Sequence, residues 1–161
     1  YLEKLVDFTV RLSERNYPFY FFATMKKDHD VIADILSTLE TEHNILLPGT
    51  KYVARNETVD ELMRNICAAD VTVATRFHGT VLSLLSGKPM VGICYHRKLM
   101  DLMCDMGQND YAVDLDTFTE EELWSRFQLL IDNRGVEEKK IREKNRQYHE
   151  QLNKQYEILF S

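Results

Sequence analysis

Two short runs without a charged residue, Val71-Thr72-Val73-Ala74-Thr75 and Met90-Val91-Gly92-Ile93-Cys94, stand on either side of a segment with helical periodicity. A strand with one solvated face alternates apolar and polar side chains. These runs do not alternate, so both of their faces need cover. The segment between them presents Val81, Leu82, Leu84 and Leu85 and stops at Gly87, just before Pro89. Strand, helix and strand in that order point to a parallel sheet with helices laid against it.

The rest of the chain repeats the alternation. Residues 1–15 carry Leu2, Leu5, Val6, Val10 and Leu12 at roughly helical spacing, and residues 19–23 form an aromatic run suited to a strand buried on both faces. Asp28 or Asp30 can cap a helix carrying Val31, Ile32, Ile35, Leu36 and Leu39. Residues 45–47 read as a short strand halted by Pro48-Gly49, and Asn56 or Thr58 can begin a helix with Leu62, Met63, Ile66 and Cys67 on one face. Residues 71–75 read as the central strand, 98–106 as a helix and 111–113 as a small edge strand. A helix over 119–133 is anchored by Leu123, Trp124, Phe127 and Leu130, and a highly charged one runs over 136–160. The latter spaces Ile141, Tyr148, Leu152, Tyr156 and Leu159 on one stripe, which can pack on its own domain or on another. The expected fold class is α/β: a Rossmann-like parallel sheet flanked by helices on both faces.

At 161 residues the chain can bury one good core. A net charge of −6 argues against a nucleic-acid partner, which needs a broad basic face. Cys67, Cys94 and Cys104 lie in apolar segments without a Cys-x-x-Cys pair or a His/Cys ligand spacing, so neither a disulfide framework nor a zinc site is indicated. Reduced, intracellular thiols fit better. No apolar run approaches a membrane span and no signal peptide is visible. The chain opens on Tyr1 with a helix already under way, which reads as a piece of something longer.

Against the acidic background, residues 71–100 contain no Asp or Glu but hold Arg76, His78, Lys88, His96, Arg97 and Lys98. Cations at strand ends and at a helix start suggest a small-anion site, since helix N–H groups favour the same charge; basic loops beside buried strands can also be plain solvation. Arg76 and His78 are two apart, so in an extended segment both can point to one side. A guanidinium offers a fork to phosphate or carboxylate, and an imidazole can hold or deliver a proton near neutral pH. Gly79 lets backbone approach a ligand closely, while Tyr95 and Lys98 can add a hydroxyl and a point charge to the same cleft. Phe77 is expected in the core, and a helix-capping or buried role for His78 stays open. Residues 25–28 follow an earlier apolar run, so three loops should open on the carboxyl edge of the sheet, where ligands bind in such folds.

Ala69-Asp70, the strand run, Arg76-Phe77-His78-Gly79, Gly87-Lys88-Pro89 and Tyr95-His96-Arg97-Lys98 follow one another in an order that resembles the polysaccharide pyruvyl transferase family. The resemblance covers roughly residues 1–135 and is sharp over 69–98. It implies a two-domain enzyme of glycosyltransferase-B-like (GT-B-like) architecture, with residues 1–135 as its Rossmann-like C-terminal domain, 136–161 as a charged amphipathic helix, and an N-terminal domain outside this chain. Such enzymes move the enolpyruvyl unit of phosphoenolpyruvate onto two hydroxyls of a sugar, free or lipid-linked, to form a pyruvate ketal in polysaccharide and cell-envelope synthesis. The resemblance makes His78 the general acid and puts Arg76, with Lys98, Tyr95 and Gly79, in substrate binding. Phosphoenolpyruvate is then a donor substrate; no cofactor and no metal is called for. Location is expected to be cytoplasmic, with at most peripheral contact at the inner face of the membrane. Without its N-terminal half, the fragment is expected to be inactive. Two other readings stand beside this one: the nucleotide-sugar-binding half of a GT-B glycosyltransferase, and a non-enzymatic flavodoxin-like binding module.

Overall fold

The computed structural model describes residues 1–54 and 57–160. In chain order it forms α1 (Leu2–Glu14), α2 (Lys26–His43), α3 (Gly49–Tyr52), α4 (Val59–Ala68), β1 (Thr72–Ala74), α5 (Phe77–Leu85), β2 (Met90–Cys94), α6 (Arg97–Asp105), β3 (Ala112–Asp114) and α7 (Glu120–Phe160). The described residues give an α/β fold with a three-stranded parallel sheet in the order β1-β2-β3. Thr72 pairs with Met90 and Ala74 with Gly92, and Gly92 in turn with Ala112. Every residue of β2 is buried, as its unalternating sequence requires. Helix α5 packs on β1 and β2, α6 on β2, and α7 on β2 and β3.

Local chemistry accounts for several element ends. Thr58 and Glu61 form a capping box at the start of α4: the Glu61 N–H donates to Thr58 Oγ1 at 3.2 Å, and the Thr58 N–H to Glu61 Oε2 at 3.1 Å. Asn56, the other candidate for this start, lies outside the described residues. Gly87, at φ +71°, takes the left-handed turn after α5, where its N–H donates to the Leu84 carbonyl and that of Lys88 to Ser83. Helix α2 begins after Met25 rather than at Asp28 or Asp30; Asp28 sits in its first turn and reaches back to the loop.

Four expectations change. Residues 19–23 do not join the sheet: Phe21 makes only an isolated parallel bridge to Val53, and Phe19 packs its ring on Phe21 at 5.8 Å and Tyr52 at 5.4 Å. An aromatic run can bury itself through ring packing without a strand ladder, and a cavity of about 780 Å³ separates this segment from the free side of β1. Residues 45–47 form no strand, because the Ile45 N–H closes α2 on the Leu39 carbonyl and Leu46 faces solvent. β1 is therefore an edge of the sheet, and β2 is its centre. The two helices expected on either side of residue 135 are one, α7. A glycine within a helix weakens it by about 1 kcal/mol, and burial of Leu130 and Ile141 on the same helix outweighs that. Of the stripe on α7, Ile141 is buried in the core, whereas Tyr148, Leu152, Tyr156 and Leu159 are exposed.

Candidate functional site

The register that pairs Ala74 with Gly92 brings the ends of β1 and β2 to one edge, and each strand feeds a helix almost at once. Arg76 is the last extended residue before α5, at φ −94° and ψ 140°. His96 holds the same place before α6, at φ −151° and ψ 145°, and its Nδ1 accepts the Lys98 N–H at 3.1 Å. Two helix starts therefore lie at the carboxyl edge of the sheet, the one at α6 with its Lys98 N–H already capped by His96.

The third loop reaches this edge although the strand before it does not form. Asp28 accepts hydrogen bonds on both carboxylate oxygens. Oδ2 takes the Thr24 N–H and hydroxyl at 2.9 Å each and the Met25 N–H at 3.1 Å. Oδ1 takes Arg76 Nε at 2.9 Å, in a pair whose side chains are 14% (Asp28) and 45% (Arg76) exposed. Burial pushes the Asp28 carboxyl up, but the Thr24 and Met25 donors and the Arg76 guanidinium outweigh it and hold it below the ordinary carboxylate range. The acid-free stretch thus meets an acid from elsewhere in the chain. The Tyr1 phenol joins the group: partial burial raises its pKa, opposed by a hydrogen bond with Thr75 and the charge of Arg76.

Arg76, Gly79 and Tyr95 line the cavity beside β1, together with Thr24, Asp28 and Thr75. Gly79 is buried, but the space where a Cβ would stand faces Ala74 and Thr24 at 3.5 Å and Phe22 at 3.6 Å. These are ordinary contact distances, so packing alone does not require a glycine here. Tyr95 is exposed, its ring edge-on to His96 at 6.5 Å. His78 and Lys98 are both exposed in the first turns of α5 and α6, outside the cavity lining. Two-residue alternation does not hold from Arg76 to His78, because α5 is already under way at Phe77. Phe77 is 40% exposed and not in the core, its ring edge-on to His78 at 6.3 Å. Lys88 sits in the turn before β2 beside the Glu138 carboxylate, away from the carboxyl edge. Among the described residues, no three His, Cys, Asp or Glu gather as metal ligands.

Asp28 and Tyr1 escaped the sequence reading as parts of the site. The spacing of Thr24 and Asp28 was the available signal, since a carboxylate in a first helical turn often reaches back to the preceding loop.

Sheet, helices and edge loops together define a parallel α/β protein with its polar side chains gathered beyond the strand ends. The sequence model of the polysaccharide pyruvyl transferases matches residues 1–97, well over half of the chain, and the chain belongs to that family. The match takes in Arg76, His78, Gly79 and Tyr95 and ends one residue before Lys98. No curated protein and no solved structure matches the chain.

Proposed function

We propose that this chain is the donor-binding half of a GT-B-like pyruvyl transferase, with residues 1–135 as its C-terminal domain and residues 136–161 as a charged helical extension. The donor is phosphoenolpyruvate and the acceptor a sugar of a polysaccharide or of its lipid-linked precursor, handled at the cytoplasmic side. The observation that carries this reading is the Arg76-Phe77-His78-Gly79 motif, inside the family match and at the junction of β1 and α5.

In this reading Arg76 binds the phosphate or carboxylate of the donor through its terminal amino groups, aided by the helix N–H groups and by Lys98 and Tyr95. His78 delivers a proton to the methylene carbon of the enol, which becomes a methyl group and leaves the central carbon electrophilic. One sugar hydroxyl adds there, phosphate departs, and a second hydroxyl closes the ketal. Of the two hydroxyl protons, one replaces the proton lost by His78 and the other leaves with phosphate. No helix among the described residues is long and apolar enough to cross a membrane. The rival nucleotide-sugar reading needs a free carboxylate for a ribose. Asp28, the carboxylate that meets Arg76, is already taken by four donors.

Thermal-shift measurements with phosphoenolpyruvate, UDP and UDP-sugars test the proposal, because a ligand at a hundred times its Kd stabilises by about 2.7 kcal/mol. Phosphoenolpyruvate should raise Tm and UDP should not. Stabilisation by UDP alone would transfer the site to the nucleotide-sugar reading, and no response to any of them would favour a non-enzymatic module.

A further inference from the structure

We propose that Asp28 is a positioning residue of this site: it grips Arg76 by Nε and so presents the two terminal amino groups of the guanidinium, already oriented, to an anionic ligand. The inference rests on the donor-binding reading and adds to it a residue from outside the basic stretch. Its basis is the division of labour between two oxygens. Thr24 and Met25 fix Oδ2 through three donors, two of them backbone N–H groups, so the carboxylate is held whether or not Arg76 is present. Oδ1 is thereby aimed at Nε. A guanidinium has five N–H donors, and engaging Nε alone leaves the four on the terminal nitrogens for a bidentate anion. An arginine held this way has lost its side-chain freedom before the ligand arrives, and affinity gains what would otherwise be lost in ordering it.

Two effects oppose each other, since the Asp28 charge also repels the anion. Solvent at the half-exposed Arg76 screens that repulsion, so orientation wins. Kept ionised by its donors, Asp28 is a weak base, and its part is orientation rather than proton transfer.

Asp28→Asn separates these roles. A carboxamide has a single acceptor oxygen, and three donors at the Oδ2 position against one at Oδ1 turn that oxygen toward Thr24 and Met25. The amide NH2 then faces Nε, donor against donor, and Arg76 is released. In the full-length protein, calorimetry should show the Kd for phosphoenolpyruvate rising about tenfold, equal to about 1.4 kcal/mol. Single-turnover ketal formation at saturating donor should stay within about threefold of wild type, because the proton donor is untouched. In an Arg76→Ala background the same substitution should change Kd by less than about twofold, the behaviour of a residue that acts through Arg76. Asp28→Glu, which keeps the charge but moves it by one methylene, should weaken binding by about threefold with the same dependence on Arg76, and it stands in should the asparagine variant not fold. Unchanged or tighter binding in the Asp28 variants, or an equal loss with and without Arg76, overturns the proposal alone. Wild-type protein that does not bind phosphoenolpyruvate, or binds it equally well after Arg76→Ala, overturns the donor-binding reading and this inference with it.

Discussion

Replacing Glu137 by alanine should destabilise the protein by about 2–3 kcal/mol, whereas Glu138→Ala should change stability by less than about 0.5 kcal/mol. The two residues are neighbours on α7, and burial sets them apart. Glu137 is 4% exposed and accepts Gln108 Nε2 at 2.7 Å and Lys140 Nζ at 2.7 Å. Gln108 is itself fully buried; its Oε1 has no partner, and its amide keeps only a 3.2 Å bond to the Gly107 carbonyl if Glu137 is removed. A hydrogen bond to a charged group contributes about 1.5–3 kcal/mol, and a buried N–H left without a partner costs about as much as the bond it lost. The Lys140 end of the network is mostly in water and adds little. Glu138 pairs with Arg142 on the exposed face of the helix, where solvent screens the attraction. For a chain of this length, about 2–3 kcal/mol is a Tm decrease of roughly 4–12 °C. Urea unfolding followed by far-UV circular dichroism measures both variants, with the comparison made at constant m-value. Equal midpoints for the two would mean that the Gln108–Glu137 contact does not hold α7 to the turn before β3, and the reasoning would fail.

Arg76→Ala should weaken phosphoenolpyruvate binding in the full-length protein by roughly 10- to 150-fold, the range expected for a charge-assisted fork, while Lys88→Ala stays within about twofold; comparable losses measured by calorimetry would point to diffuse electrostatics instead of a pocket. His78→Asn should retain most of the donor affinity and lose turnover by about a hundredfold or more; near-normal single-turnover ketal formation would end its assignment as the acid. Stability should decline in alkali. Burial pushes the Cys94 thiol up to about 11, and burial with the nearby Glu137 charge pushes the Tyr111 phenol up to about 12. Both groups have folded pKa values above their unfolded ones, so their contribution is complete below about pH 9 and is lost as pH rises through the folded values. Urea midpoints from pH 8 to 12 should fall accordingly, with a smaller early loss in Cys94→Ala; a flat profile would contradict the burial of these groups.

What depends on neighbours along the chain is legible in the residues themselves. The uncharged runs at β1 and β2 read as strands needing cover on both faces, and the helical periodicity fixed α1, α4 and α6 to within a residue or two. Helix α5, by contrast, begins at Phe77, earlier than its apolar positions from Val81 onward mark. The Arg76-Phe77-His78-Gly79 motif marks the strand-to-helix junction at the carboxyl edge. Tertiary structure decided what depends on distance in space. Residues 19–23 satisfy the same apolar pattern by ring packing on Tyr52 as by a strand ladder, and only the partner chooses between them. Gly135 looks like a helix break in sequence, yet the helix runs through it because residues on both sides of it are buried against the sheet and the turn before β3. The charge at the site shows the difference most plainly. The window of sequence around Arg76 holds no acid, yet Asp28, 48 residues away, folds back to meet its guanidinium. Electrostatic fields act through space and fall with distance between atoms, so a chain order that keeps two charges apart says nothing about whether the fold will join them.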